Sequence, residues 1–171
     1  ELMDLSIIVY GLNLASIYAL MAIGISMLWS SVGMINMAHG ATFAVSGYSA
    51  WIVTGYLKPV IFLSFGKTTF ASFLMGGVLV GSAALGGMLF GLIIYLLAFL
   101  PIHDRPNYAV RSLIITLAIN IGTVQLLLFL FGPRNRGLPK IFGFGRFDFL
   151  GIPVRYDQAG TIIGTAVVLL L

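Results

Sequence analysis

The sequence predicts an all-α fold, a polytopic bundle of membrane-spanning helices. Three observations carry this. Only 14 of 171 residues are charged, nine Lys or Arg and five Asp or Glu; that is 8%, where an ordinary soluble domain carries about 25%. Hydrophobic residues make up 60% of the chain. The charges are also segregated: the 53 residues between Asp4 and Lys58 contain none, and a second charge-free stretch runs from Thr68 to His103. A soluble enzyme, a disordered tail and a nucleic-acid-binding domain are excluded. The net charge of +4 rests on nine cations spread through loops, so no nucleic-acid patch follows. With no cysteine, disulfides, thiolate metal sites and redox pairs are excluded as well.

A spanning helix needs about 20 apolar residues, so the 53-residue gap holds two spans, about Leu5–Leu28 and Met34–Leu57, joined by a turn at Trp29-Ser30-Ser31-Val32-Gly33. A short loop, Lys58–Lys67, carries Pro59 and Gly66. The third span falls within Phe70–Leu100. This charge-free stretch exceeds one straight span, so it is expected to tilt, break or project beyond the bilayer. Pro101 and the run His103-Asp104-Arg105 end it. A fourth span covers Ser112–Phe131 and stops at Gly132-Pro133. Residues 132–159 collect most of the remaining charge and are expected to be an ordered extramembrane loop. Phe147 and Phe149, then Ile152, Val154 and Tyr156, alternate around Leu150-Gly151 as a hairpin would. A fifth span starts near Gly160. Twelve residues to Leu171 cannot cross a bilayer, and the first residue is Glu, so the sequence is expected to be the N-terminal part of one longer membrane domain.

Within the third span, Gly77 and Gly81, and again Gly87 and Gly91, form two GxxxG patterns. Small residues four apart share a face and let backbones approach closely. They serve either contact with a second subunit or packing within the chain. Uncharged polar residues must find partners away from lipid. Asn13 and Ser16 share a face of the first span; Thr116, Asn120 and Thr123 share a face of the fourth. These faces either line a polar solute path or hydrogen-bond between helices.

The most unusual segment is Asn36-Met37-Ala38-His39-Gly40. Asn36 is a candidate N-cap for the second span. A helix start at membrane depth presents free N–H groups and a positive dipole end, an arrangement suited to a solute carboxylate. The plainer reading is an interfacial cap. No catalytic constellation accompanies the segment: His39 and His103 lie on different segments, and no acidic residue falls within a span. No metal-ligand cluster and no phosphate-binding GxxxxGK[ST] motif appears. The chain is expected to be a transport subunit rather than an enzyme, with its energy source elsewhere.

The run Gly11-Leu12-Asn13-Leu14-Ala15-Ser16-Ile17-Tyr18-Ala19-Leu20, followed by Gly33-Met34-Ile35-Asn36-Met37-Ala38-His39-Gly40 and Gly47-Tyr48, resembles the N-terminal signature of the branched-chain amino acid ABC transporter permease family (LivH type). Ser112–Asn120 and the exit Phe131-Gly132-Pro133 resemble that family's later elements. The Asn36–Gly40 form is shared with the related urea and short-amide permeases. The resemblance implies a multi-pass permease of the cell inner membrane. It would work with a second permease, two cytosolic ATPases that hold ATP and Mg, and an extracytoplasmic solute-binding protein. This chain would then hold no cofactor of its own. Solute contact would fall to Asn13, Ser16, Asn36, His39, Gly40, Thr116 and Asn120. The loop after Pro133 would face outside, and Arg134, Arg136 and Lys140 would dock the binding protein. The positive-inside rule points the other way, with seven Lys or Arg on the side of that loop and two opposite; the resemblance is followed here. A self-contained channel or secondary transporter is the alternative, separable by whether ATPase and binding-protein partners copurify.

Overall fold

The structure is a computed structural model, and it describes residues 2–32, 36–66, 68–134, 136–138, 146–149 and 152–170. Among them lie five α-helices: α1 (Leu2–Val32), α2 (His39–Phe65), α3 (Thr69–Ile94), α4 (Tyr108–Phe131) and α5 (Tyr156–Leu170). A short antiparallel hairpin, β1 (Arg146–Phe149) with β2 (Ile152–Arg155), precedes α5. Three stretches are long and apolar enough to cross a membrane, Ile7–Met27, Thr69–Ile102 and Tyr108–Phe131. The fold class is the expected all-α membrane bundle.

Several boundaries differ from the sequence expectation. The turn placed at Trp29–Gly33 is not seen at its first four positions, because α1 stays helical through Val32; Gly33 lies outside the described residues. Continuing the helix keeps backbone N–H and C=O groups paired, which an apolar setting rewards over an open turn. Likewise α2 passes through Lys58 and Pro59 and ends only at Phe65, where Gly66 takes φ +64°. Proline's fixed φ is helical, but Pro59 forfeits the bond that its missing N–H would have made to the Gly55 carbonyl, and its ring crowds that carbonyl. At the other end, α2 begins at His39, five residues later than the expected Met34. Helix α4 begins earlier, after Asn107 in the left-handed conformation (φ 59°). The hairpin signal corresponds to real strands, with Phe147 opposite Val154 and Phe149 opposite Ile152, but Tyr156 opens α5 instead of extending β2.

The chain divides into two compact units, one of Glu1–Met27 with Lys140–Leu171 and one of Leu28–Pro139. In the second unit, α2 and α3 form an antiparallel pair. Ile61 of α2 packs with Ala71 and Met75 near the α2–α3 connection. Farther along, Ser49 Oγ donates to the Ser82 carbonyl at 3.0 Å. Gly86 and Gly87 face Ser49 and Ser46, so close that a Cβ on Gly86 would stand 2.6 Å from Ser49 Cβ. Beyond Ile94 the helix widens into a π turn, Tyr95–Phe99, and then tightens into a 3-10 turn, Leu100–Ile102. The long third element is therefore broken in geometry, with Pro101 in its final turn.

Helix α4 runs parallel to α2, since residues 37, 41 and 51 of one meet 116, 120 and 131 of the other. This pairing sets the depth of the α2 start. Thr116 lies eight residues into α4, about 12 Å at 1.5 Å per residue. Ala38, just before α2, packs on Ile94 and Ala98 at the π turn, with Ile115 and Ile119 of α4 alongside. The α3–α4 hairpin therefore continues well past the beginning of α2.

Candidate functional site

Irregular backbone at membrane depth survives only if protein or a polar cavity satisfies its N–H and C=O groups. The segment Asn36–Ala38 meets this condition through two side-chain oxygens, and a third serves the first turn of α2. Asn36 Oδ1 accepts the Ala38 N–H at 2.9 Å, closing a local turn two residues on. Thr116 Oγ1 accepts the Met37 N–H at 3.0 Å. Asn120 Oδ1 accepts the Ala41 N–H at 2.9 Å. Ala38 itself occupies the N-cap position and supplies no side-chain bond. The expected capping by Asn36 is thus displaced to the turn before the helix, and α4 supplies the cap from a distance of 79 residues in sequence.

Thr116 is fully buried and serves twice, because its hydroxyl also donates to the Ser112 carbonyl at 2.7 Å. Ser112, likewise buried, donates to the Ala109 carbonyl at 2.9 Å. Ser112, Thr116 and Asn120 recur every four residues and so line one face of α4. Gly40 is where that face comes closest: a Cβ there would lie 3.5 Å from Asn120 Oδ1. The backbone N–H groups of His39 and Gly40, the first two of α2, find no acceptor among the described residues. They point toward the helix start and carry its positive dipole end.

The candidate residues divide accordingly. Asn36, His39, Gly40, Thr116 and Asn120 converge at the α2 start. Asn13 and Ser16 belong to the other compact unit. There Ser16, nearly buried, donates to the Leu12 carbonyl of its own helix at 2.8 Å, and the buried Asn13 Oδ1 has no hydrogen-bond partner among the described residues. Of the GxxxG glycines, Gly77, Gly81 and Gly91 meet nothing within 4 Å, while Gly87 packs on Ser46. Close packing inside the chain uses the adjacent pair Gly86–Gly87 rather than the four-residue spacing.

The three expected docking cations also separate. Arg136, though exposed, is held: its guanidinium sits 4.8 Å from the Trp51 ring centre and donates to the Phe131 carbonyl at 2.9 Å. Arg134 is exposed, and Lys140 lies outside the described residues. The Phe131 ring stacks on Tyr48 at 4.6 Å and meets Trp51 edge-on at 6.0 Å. Sequence reasoning missed this cluster and Gly86. Tyr48 and Trp51, three apart on one helix, were the available signal; nothing in the sequence ties either to Phe131.

Two comparisons bear on this geometry. The family model described as branched-chain amino acid transport system / permease component matches residues 7–170. The chain is 28% identical over 166 residues to the high-affinity branched-chain amino acid transport system permease protein BraD of Pseudomonas aeruginosa, which covers 95% of this chain and 51% of BraD. It is 28% identical over 132 residues to the corresponding permease protein LivH of Escherichia coli K12, covering 77% of this chain and 40% of LivH. The LivH of Salmonella typhimurium matches at 27% over the same length. The chain thus spans about half the length, or less, of these curated relatives. No solved structure matches.

Proposed function

The chain belongs to the permease-component family of branched-chain amino acid transport systems, and from that premise we propose that it forms, with a second permease, the path of an ATP-driven importer in the cell inner membrane. Its solutes are branched-chain amino acids or related small polar molecules such as amides and urea. Two cytosolic ATPases supply the energy, and an extracytoplasmic binding protein delivers the solute to the segment after Pro133. Arg134, Arg136 and Lys140 are assigned to that docking, with Arg136 also held on Trp51.

The observation that carries this reading is the start of α2 partway along α4, sealed by Asn36, Thr116 and Asn120, while the N–H groups of His39 and Gly40 find no acceptor among the described residues. Discontinuous helices whose N-termini face anionic solute groups are a recurrent transporter device. A leucine carboxylate would be met by these two donors, with His39 beside them. The polar side chains of α4 act as positioning groups, because each already spends an acceptor on α2. Asn13, whose Oδ1 has no hydrogen-bond partner among the described residues, and Ser16 are proposed separately as solute-facing residues of α1.

The test is radiolabelled uptake by the full-length protein with its partners, comparing leucine, urea and short amides. Leucine uptake should exceed the others and fall at least about tenfold in His39→Ala or Asn36→Ala, roughly the loss of one charge-assisted contact. Normal leucine uptake in both variants would reduce the segment to a structural cap.

A further inference from the structure

A cleft of about 340 Å³ lies between α2 and the exit of α4, apart from the α2 start. Its apolar lining includes Phe43, Ala44, Gly47 and Leu128. Phe43 and Leu128 are exposed, at 56% and 42%. Tyr48, Trp51, Arg134 and Arg136 line it as well. Among the described residues no acidic side chain lines it.

We propose that this cleft binds an anionic phospholipid, its phosphoryl headgroup at Arg134 and an acyl chain along Phe43 and Leu128. The position fits. Helix α4 is one of the membrane-crossing elements and ends at Phe131, so the cleft straddles the level where the span leaves hydrocarbon. Tyr and Trp rings favour that level, with an apolar body and a polar tip. The charges fit as well. Arg136 is fixed on Trp51 and the Phe131 carbonyl, which keeps a permanent cation at the cleft without freeing it for a bidentate contact. Arg134, two residues away, has no hydrogen bond or ion pair among the described residues and is the group left to grip a phosphate through its planar fork. A soluble anion would engage Arg134 but leave the exposed apolar lining unexplained, whereas a diacyl lipid occupies both. Basic pockets between spanning helices have this chemistry.

The test is native mass spectrometry of the full-length protein titrated with phosphatidylglycerol, phosphatidylcholine or inorganic phosphate. Phosphatidylglycerol should be retained in preference to phosphatidylcholine. Arg134→Gln should weaken phosphatidylglycerol binding about fivefold, the worth of one cation near a phosphate, and leave phosphatidylcholine unchanged. Arg105→Gln, at the opposite end of α4, should change neither. Gly47→Leu places a side chain where a Cβ meets nothing within 4 Å; it should fill the cleft and lower retention of both lipids. Equal retention of the two lipids, unchanged phosphatidylglycerol binding in Arg134→Gln or in Gly47→Leu, or inorganic phosphate binding as tightly as the lipid would each overturn the proposal.

Discussion

Asn120, in the middle of α4, accepts the backbone N–H of Ala41 at the third position of α2, at 2.9 Å. One helix thereby caps another from within the bundle, and the two are locked in parallel at a fixed offset. With Thr116 and Met37 one turn away, this pair decides how deep α2 begins.

Removing either acceptor leaves a part-buried N–H unpaired. Thr116→Val should destabilise the protein by about 1 kcal/mol, the low end of the penalty for an orphaned donor. Thr116→Ser keeps the oxygen and should cost less than half as much. Thermal unfolding in detergent measures both; equal losses would mean that the methyl group rather than the hydroxyl matters.

Asn120→Asp separates capping from charge. A carboxylate remains an acceptor for the Ala41 N–H, but it places negative charge beside the donors assigned to the solute carboxylate. A charge within the span should cost about 2–3 kcal/mol of stability, and leucine uptake by the folded protein should fall. Undiminished uptake would count against a carboxylate at this helix start.

The glycine pair gives a packing test. Gly86→Ala would set two Cβ atoms 2.6 Å apart, and should destabilise by about 1–3 kcal/mol through overpacking. Ser49→Gly should restore much of that loss in the double variant. Gly77→Ala and Gly91→Ala meet nothing within 4 Å in this chain and should leave its unfolding temperature unchanged. If the second permease packs on the GxxxG face, the same two changes should weaken copurification of the pair.

At the exit of α4, Arg136→Ala removes both the hydrogen bond to the Phe131 carbonyl and the cation over Trp51. The expected loss is about 1–2 kcal/mol, with altered Trp51 fluorescence as the local signature. Arg136→Lys should retain part of the ring contact but lose the fork geometry. Unaltered emission in both variants would place the guanidinium elsewhere.

The sequence by itself determined the membrane class, the number and rough placement of the helices, the hairpin before α5, and the singular character of Asn36–Gly40. Each of these rests on local quantities: charge-free length, alternation, and polar residues where apolar ones are the rule. It also marked Thr116 and Asn120 as residues needing partners. Only the tertiary structure decided who those partners are. That Asn120 meets Ala41, that Gly86 rather than the GxxxG spacing carries the α2–α3 contact, and that Arg136 folds back onto Trp51 all depend on the offset between helices distant in sequence. That offset moved the start of α2 to His39 and its end past Pro59, because a backbone away from water stays helical until another segment's side chains can satisfy it. Periodicity shows which face of a helix seeks contact; the depth at which two faces meet is set by the hydrogen bonds and close approaches that packing makes possible.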